Sequence, residues 1–147
     1  MKTSRSTGEL LDLLASRGLA ATTQRLALLA AVLDSHDRHL SAEDLYRELS
    51  EQFPTLSRAT IYNNLAALGN AGLIEKLGTP DGSRYGPVTR PHVNLLCTAC
   101  GSISDVLIGD TDLERLIERA TRAGDFVARS VSLSVSGLCS ACAAASA

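Results

Sequence analysis

Apolar residues recur at helical spacing through the first half of this chain and at strand spacing near its end. From Thr7 to Ser16, Leu10, Leu13 and Leu14 share one helical face, and Gly18 closes the segment. A second helix is predicted to begin at Thr22 or Thr23 in QRLALLAAVLDS, with Leu26, Leu29, Ala30 and Leu33 on its apolar side. Ser41 opens a third, SAEDLYRELSEQ, in which Asp44 completes a short capping box and Leu45 and Leu49 are in register before Phe53-Pro54 ends it. In the next stretch Ser57 is a good N-cap, and Ile61, Leu65 and Leu68 form a buried stripe. Arg58, Thr60, Tyr62 and Asn63 are left largely on the opposite face.

Gly72 stops that helix, LIEKL reads as a strand, and Thr79-Pro80-Asp81-Gly82 turns the chain into a second strand at Ser83 to Tyr85. Three helices followed by a hairpin predict a winged helix, with the last helix as recognition helix and the hairpin as wing. A face of Arg, Thr, Tyr and Asn can donate, accept and touch thymine methyl groups, as major-groove reading requires. Many amphipathic helices merely carry a solvated polar face; the position directly before a wing favours the DNA-reading role.

GPVTRP, with two prolines and a glycine, predicts a linker. The expected organisation is a DNA-binding domain at 1–86, a hinge at 87–91 and a second domain at 92–147. In that second domain VNLLC and SISDVL read as strands, and Thr111 with Glu114 reads as a capping box opening a helix edged by Leu113, Leu116 and Ile117. In FVARSVSLSVSG, Val127, Val131, Leu133 and Val135 alternate with Ser130, Ser132, Ser134 and Ser136, predicting a strand with one buried face. The fold class is therefore α+β, a winged helix followed by a small α/β domain. About sixty residues usually need a metal staple or a partner subunit, and a homodimer would also give two recognition helices that suit a palindromic operator.

Composition narrows the function classes. At 147 residues and 45% hydrophobic the chain can bury a core. Runs such as LALLAAVL are too short to span a bilayer and MKTSRSTGE lacks the apolar core of a signal peptide, so the expectation is a cytoplasmic protein with no membrane partner. A formal charge of −2 means that any DNA contact must come from a local patch. Aromatic content of 3% argues against an RNA-stacking surface.

Cys97, Cys100, Cys139 and Cys142 form two C-x-x-C pairs. Two intervening residues let both thiolates of a knuckle turn onto one tetrahedral metal, and the second pair closes a four-sulfur shell typical of structural zinc. Gly101 suits the tight turn of the first knuckle. Paired disulfides and a thioredoxin-like redox pair are the competing readings. Against the redox pair, the first C-x-x-C lies between strand-like runs and no amphipathic helix follows the second. A closed shell leaves no place for substrate, and no nucleophile elbow or phosphate loop appears, so the chain is not expected to be an enzyme.

With HLSAEDLY at 39–46, FPTLSRATIYNNLAALGNAGLIEKL at 53–77, RPHVNLLCTACGSISDV at 90–106 and the final CSAC, the chain resembles the ferric uptake regulator (Fur) family, and within it the peroxide-sensing branch. The resemblance implies a metal- or peroxide-responsive repressor, dimeric on a pseudo-palindromic operator, with zinc on the four cysteines. It also implies a second, regulatory metal, Mn2+ or Fe2+, between the domains. His39, His92 and Asp105 stand at three of the five regulatory ligand positions, whereas Gly86 and Asn94 occupy the two where that branch has an aspartate and a histidine. His36 and Asp37 are further donors nearby. Where the family often has a basic residue before the second helix, this chain has Ala20 and Ala21, so Arg25, Arg58 and Arg84, with Arg17, are expected to carry the phosphate contact. Two other outcomes stay open: a regulator with no metal switch, constitutive or controlled by oxidation of its zinc thiolates, and a thiol oxidoreductase.

Overall fold

The computed structural model describes residues 5–35, 38–88, 92–128 and 131–147. His36 and Asp37, the hinge residues Thr89, Arg90 and Pro91, and Arg129 and Ser130 of the alternating run lie outside the described residues. The chain divides into two compact units, Met1–Val88 and Thr89–Ala147.

The first unit contains helices α1 (Thr7–Ser16), α2 (Thr23–Asp34), α3 (Ala42–Ser50) and α4 (Arg58–Asn70) and strands β1 (Leu40–Ser41), β2 (Ile74–Thr79) and β3 (Gly82–Pro87). All four helices carry a side-chain N-cap, from Ser6, Thr22, Ser41 and Ser57, so an orphan N–H at each start is satisfied locally. The Ser41–Asp44 capping box is present in both directions. Leu10 and Leu14 of α1, Ala42, Leu45 and Leu49 of α3, and Ile61, Leu65 and Leu68 of α4 meet in one core.

Helix α2 buries Leu28, Leu29 and Val32, whereas Leu26, Ala30 and Leu33 of the predicted stripe are only partly covered. The segment is apolar nearly all round, so its periodicity fixes no rotation. Its neighbours α3, α4 and β3 do. Strands β2 and β3 form an antiparallel hairpin around the predicted turn, where Gly82 adopts φ +119° and Thr79 Oγ1 donates to the Gly82 carbonyl at 2.7 Å. β1 adds to the other side of β3, giving the order β1-β3-β2. β3 runs through Gly86 and Pro87, so the extended strand consumes the start of the segment read as a linker.

The second unit has β4 (His92–Cys97), β5 (Ile103–Leu107), α5 (Asp110–Ala123), β6 (Ser134–Gly137) and α6 (Ser140–Ala145). Its sheet order is β5-β4-β6, with β4 antiparallel to β5 and parallel to β6. Three expectations need correction here. Helix α5 starts one residue earlier than Thr111, and its N-cap is Gly109 with no side-chain cap bond, so the Thr111–Glu114 box does not form. The alternating run pairs as strand only from Ser134, and Val127 and Val135 are 84% and 55% exposed rather than buried. The final C-x-x-C, read as part of a tail, itself opens a short helix, α6, with Cys139 as its N-cap and Cys142 in its first turn. Among the described residues, no helix is long and apolar enough to cross a membrane.

Candidate metal centre and nucleic-acid interface

Strand pairing brings the two cysteine pairs together. β4 ends on Cys97, whose N–H donates to the Ser102 carbonyl at 2.9 Å, and the Gly101 N–H returns to the Cys97 carbonyl at 2.9 Å. This knuckle requires φ +73° at Gly101, a conformation in which a Cβ is strained. The parallel register sets Cys97 beside Gly137, and the Thr98 N–H bonds the Gly137 carbonyl at 2.8 Å, so the chain reaches Cys139 next to the first knuckle. The four Sγ atoms all lie within 4.8 Å of one another, Cys100 and Cys139 at 4.0 Å, and all four cysteines are free thiols. Zn–S bonds of about 2.3 Å put tetrahedral sulfurs about 3.8 Å apart, so the cluster fits a structural zinc.

The protons point the same way. N–H donors of Cys139 and Cys100 pull the Cys97 thiol down to about 6, and Ser102 lowers Cys100. Cys142 is pushed up to about 12 by its contacts with the sulfurs of Cys139, Cys100 and Cys97. Crowded sulfurs cannot all ionise unless a cation takes the place of the last protons. A shell closed by four thiolates keeps no position for substrate.

The polar face of α4 is open. Tyr62 is 57% exposed and Asn63 is exposed beside it, while Ile61, Leu65 and Leu68 hold the helix down. Arg58, at the first turn, donates to both carboxylate oxygens of Glu43 at 3.0 and 2.8 Å and stacks 4.2 Å over the Tyr46 ring. Thr60 is half-buried, its hydroxyl 2.8 Å from that of Ser57. Arg84 of β3 lies 3.4 Å from Asp44, and Arg17 donates to the Ala71 carbonyl at 2.9 Å. Arg25 donates to Asn64 Oδ1 at 2.9 Å and to the Ala20 carbonyl at 2.7 Å. The arginines are thus aimed by internal bonds that sequence reasoning missed. Asn64 carried a signal: a polar residue inside the 61–65–68 stripe needs a buried partner.

The predicted regulatory residues are divided between the units. In the first, His39 is 93% buried (7% exposed), and its Nε2 lies 3.8 Å from Glu75 Oε2, a neighbour that spacing could not reveal. Gly86 is buried against the His39 ring, where a Cβ would come within 2.8 Å of it. In the second, half-buried His92 and fully buried Asn94 alternate along β4, and exposed Asp105 on β5 is directly opposite Asn94. Asn94 Nδ2 reaches the Leu133 carbonyl at 3.5 Å and its N–H bonds the same oxygen at 3.0 Å, so the amide joins β4 to the segment leading into β6.

The profile of the ferric uptake regulator family matches residues 16–136. The chain belongs to that family. As a Fur-family member it is a DNA-binding transcriptional regulator. It is 35% identical over 127 residues to the peroxide-responsive repressor PerR of Staphylococcus aureus, covering 85% of this chain and 83% of that protein. The ferric uptake regulator of Vibrio cholerae superposes with a TM-score of 0.64 at 26% identity, over 87% of this chain and 98% of that one. A zinc uptake regulator solved with zinc and DNA gives a TM-score of 0.67 at 26% identity, over 97% and 98%.

Proposed function

We propose that this chain is a homodimeric, operator-binding repressor responsive to metal or peroxide, acting in the cytoplasm, with no catalytic turnover of its own. The observation that carries the DNA-reading part is the open face of α4, where Tyr62 and Asn63 project from a helix anchored by three buried apolar residues and followed by a wing. Thr60, Tyr62 and Asn63 are assigned to the base edges, and Arg25, Arg58 and Arg84, with Arg17, to the phosphates. Relatives support the rest: the 35% identical staphylococcal protein is a peroxide-responsive repressor, and a structural neighbour was solved with zinc and DNA.

The regulatory cation, Mn2+ or Fe2+, is assigned to His39, His92 and Asp105. An imidazole pair with one carboxylate suits such borderline to hard divalent ions. Fluorescence anisotropy on an operator duplex tests both parts. Asn63→Ala should cost about 1–3 kcal/mol at the matching base pair and little elsewhere. Arg84→Ala should weaken binding to all sequences and flatten its salt dependence. Equal affinities for matched and mismatched duplexes in the parent and Asn63→Ala would remove α4 as the reader. Titration with Mn2+, Fe2+ or Zn2+ should strengthen operator binding by the parent and not by His92→Ala.

One observation favours a second reading, a regulator without a metal switch. Asn94 offers only a neutral amide oxygen and Gly86 no side-chain donor, so two of the five family positions hold no strong ligand. Operator affinity unchanged by chelation that spares the four thiolates would select it.

A further inference from the structure

The antiparallel register places three residues in one row across the sheet of the first unit. Leu40 is opposite Tyr85, so His39, one step earlier, adjoins Gly86; Gly86 in turn is opposite Glu75. Directly opposed residues project on the same side of a sheet. A glycine in the middle of the row therefore leaves space for the His39 ring to lie over β3 toward the Glu75 carboxylate.

Both side chains are nearly removed from water, 1% and 11% exposed, and Nε2 and Oε2 are 3.8 Å apart. That separation is too long for a hydrogen bond. It is in the range of two donors flanking one cation, since M–N and M–O bonds of about 2.0–2.2 Å put adjacent donors about 3–4 Å apart. His39 Nδ1 is a buried nitrogen with no hydrogen-bond partner among the described residues.

We infer that Glu75, the cross-strand neighbour of Gly86 on β2, is the carboxylate ligand of a divalent-cation half-site with His39, whose ring takes the space that a side chain at position 86 would fill. This rests on the regulatory-cation reading above and assigns its missing carboxylate to a residue outside the predicted set. A neutral imidazole and a carboxylate suit Mn2+ or Fe2+, and Mn2+ competes poorly with zinc for thiolates.

The test uses the full zinc-loaded chain and Mn2+ alone, with free Mn2+ counted by electron paramagnetic resonance. The parent should bind one Mn2+ per chain, and Glu75→Gln, equal in shape but uncharged, should bind it roughly 10–100-fold more weakly. Glu75→Asp, which withdraws the carboxylate by one methylene, should also weaken binding and serves if Glu75→Gln fails to fold. Gly86→Ala removes no donor, yet its Cβ would displace the ring and should weaken Mn2+ as well. Parent-like Mn2+ binding by Glu75→Gln would overturn the assignment, as would a parent that binds none. If His92→Ala loses Mn2+ while Glu75→Gln keeps it, Glu75 is excluded and the regulatory cation survives. Operator affinity of the zinc-loaded parent, measured in parallel, reports separately on the DNA-binding reading.

Discussion

Asp44 connects the start of α3 to the wing through a single carboxylate. It accepts from the Ser41 N–H at 3.0 Å and hydroxyl at 2.7 Å, and Arg84 of β3 lies 3.4 Å away. The Ser41 hydrogen bonds first, then Arg84 and Arg47, hold its carboxyl below the ordinary range. A depressed folded value means that Asp44 adds stability above its unfolded pKa of about 3.9, and that this contribution disappears as pH falls through the lower folded value. Asp44→Asn should therefore lower stability by about 1 kcal/mol at pH 7, a typical capping loss, and by much less at a pH below the folded value. Urea denaturation at the two pH values measures the difference; an equal loss at both would mean that the charge contributes nothing. The Ser41–Asp44 half of this arrangement was legible, because capping is a spacing of three. The Arg84 half was not, since forty residues of chain separate the partners and only the β1–β3 register brings them together.

At the level of elements, legibility followed how unequal the two faces of each segment are. Helices α3 and α4 alternate apolar and polar sides, and Leu45, Leu49, Ile61, Leu65 and Leu68 were identified from spacing alone, whereas buried Ala42 and Asn64 were not. In α2 the run LALLAAVL satisfies more than one rotation, and packing chose Leu28, Leu29 and Val32. Leu28→Ala should then cost roughly 2–5 kcal/mol, with Leu26→Ala clearly less, because only the first leaves a sealed cavity. Thermal or urea unfolding of the two variants decides between the rotations, and the reverse order would restore the predicted stripe. The opposite failure occurs near the C-terminus. Strict alternation there predicted a strand with one buried face, but pairing begins only at Ser134, and alternation does not say whether the same chain covers the apolar residues. Helix α5 shows a third limit: a Thr-x-x-Glu spacing fits a capping box, yet the turn out of β5 starts the helix from Gly109 before Thr111 is reached.

The whole molecule is divided in how it is stabilised. The buried cluster from Leu10 to Tyr85 belongs entirely to the first unit. The second unit buries Val93, Leu96, Cys97 and Leu113, while Leu107, Leu116, Phe126, Val127, Val131 and Val135 remain largely in water. Such a unit needs a staple and a covering surface, and the four-thiolate cluster and a second copy of the chain supply them in the proposed dimer. Zinc removal should consequently act in sequence. With the cation gone, Cys142, whose thiol is pushed up to about 12, regains its proton at neutral pH, and the link between the β4 end and α6 is lost. The second unit then unfolds, the dimer dissociates, and the first unit still melts cooperatively on its own core. Operator binding should fall to that of a single winged helix, with the slope of log affinity against log salt reduced by about half, because half the phosphate contacts remain. Sedimentation and salt-titrated anisotropy of the chelated protein, and of Cys142→Ser, measure both steps. A zinc-free chain that stays dimeric with its full salt slope would show that the apolar face alone holds the two copies together.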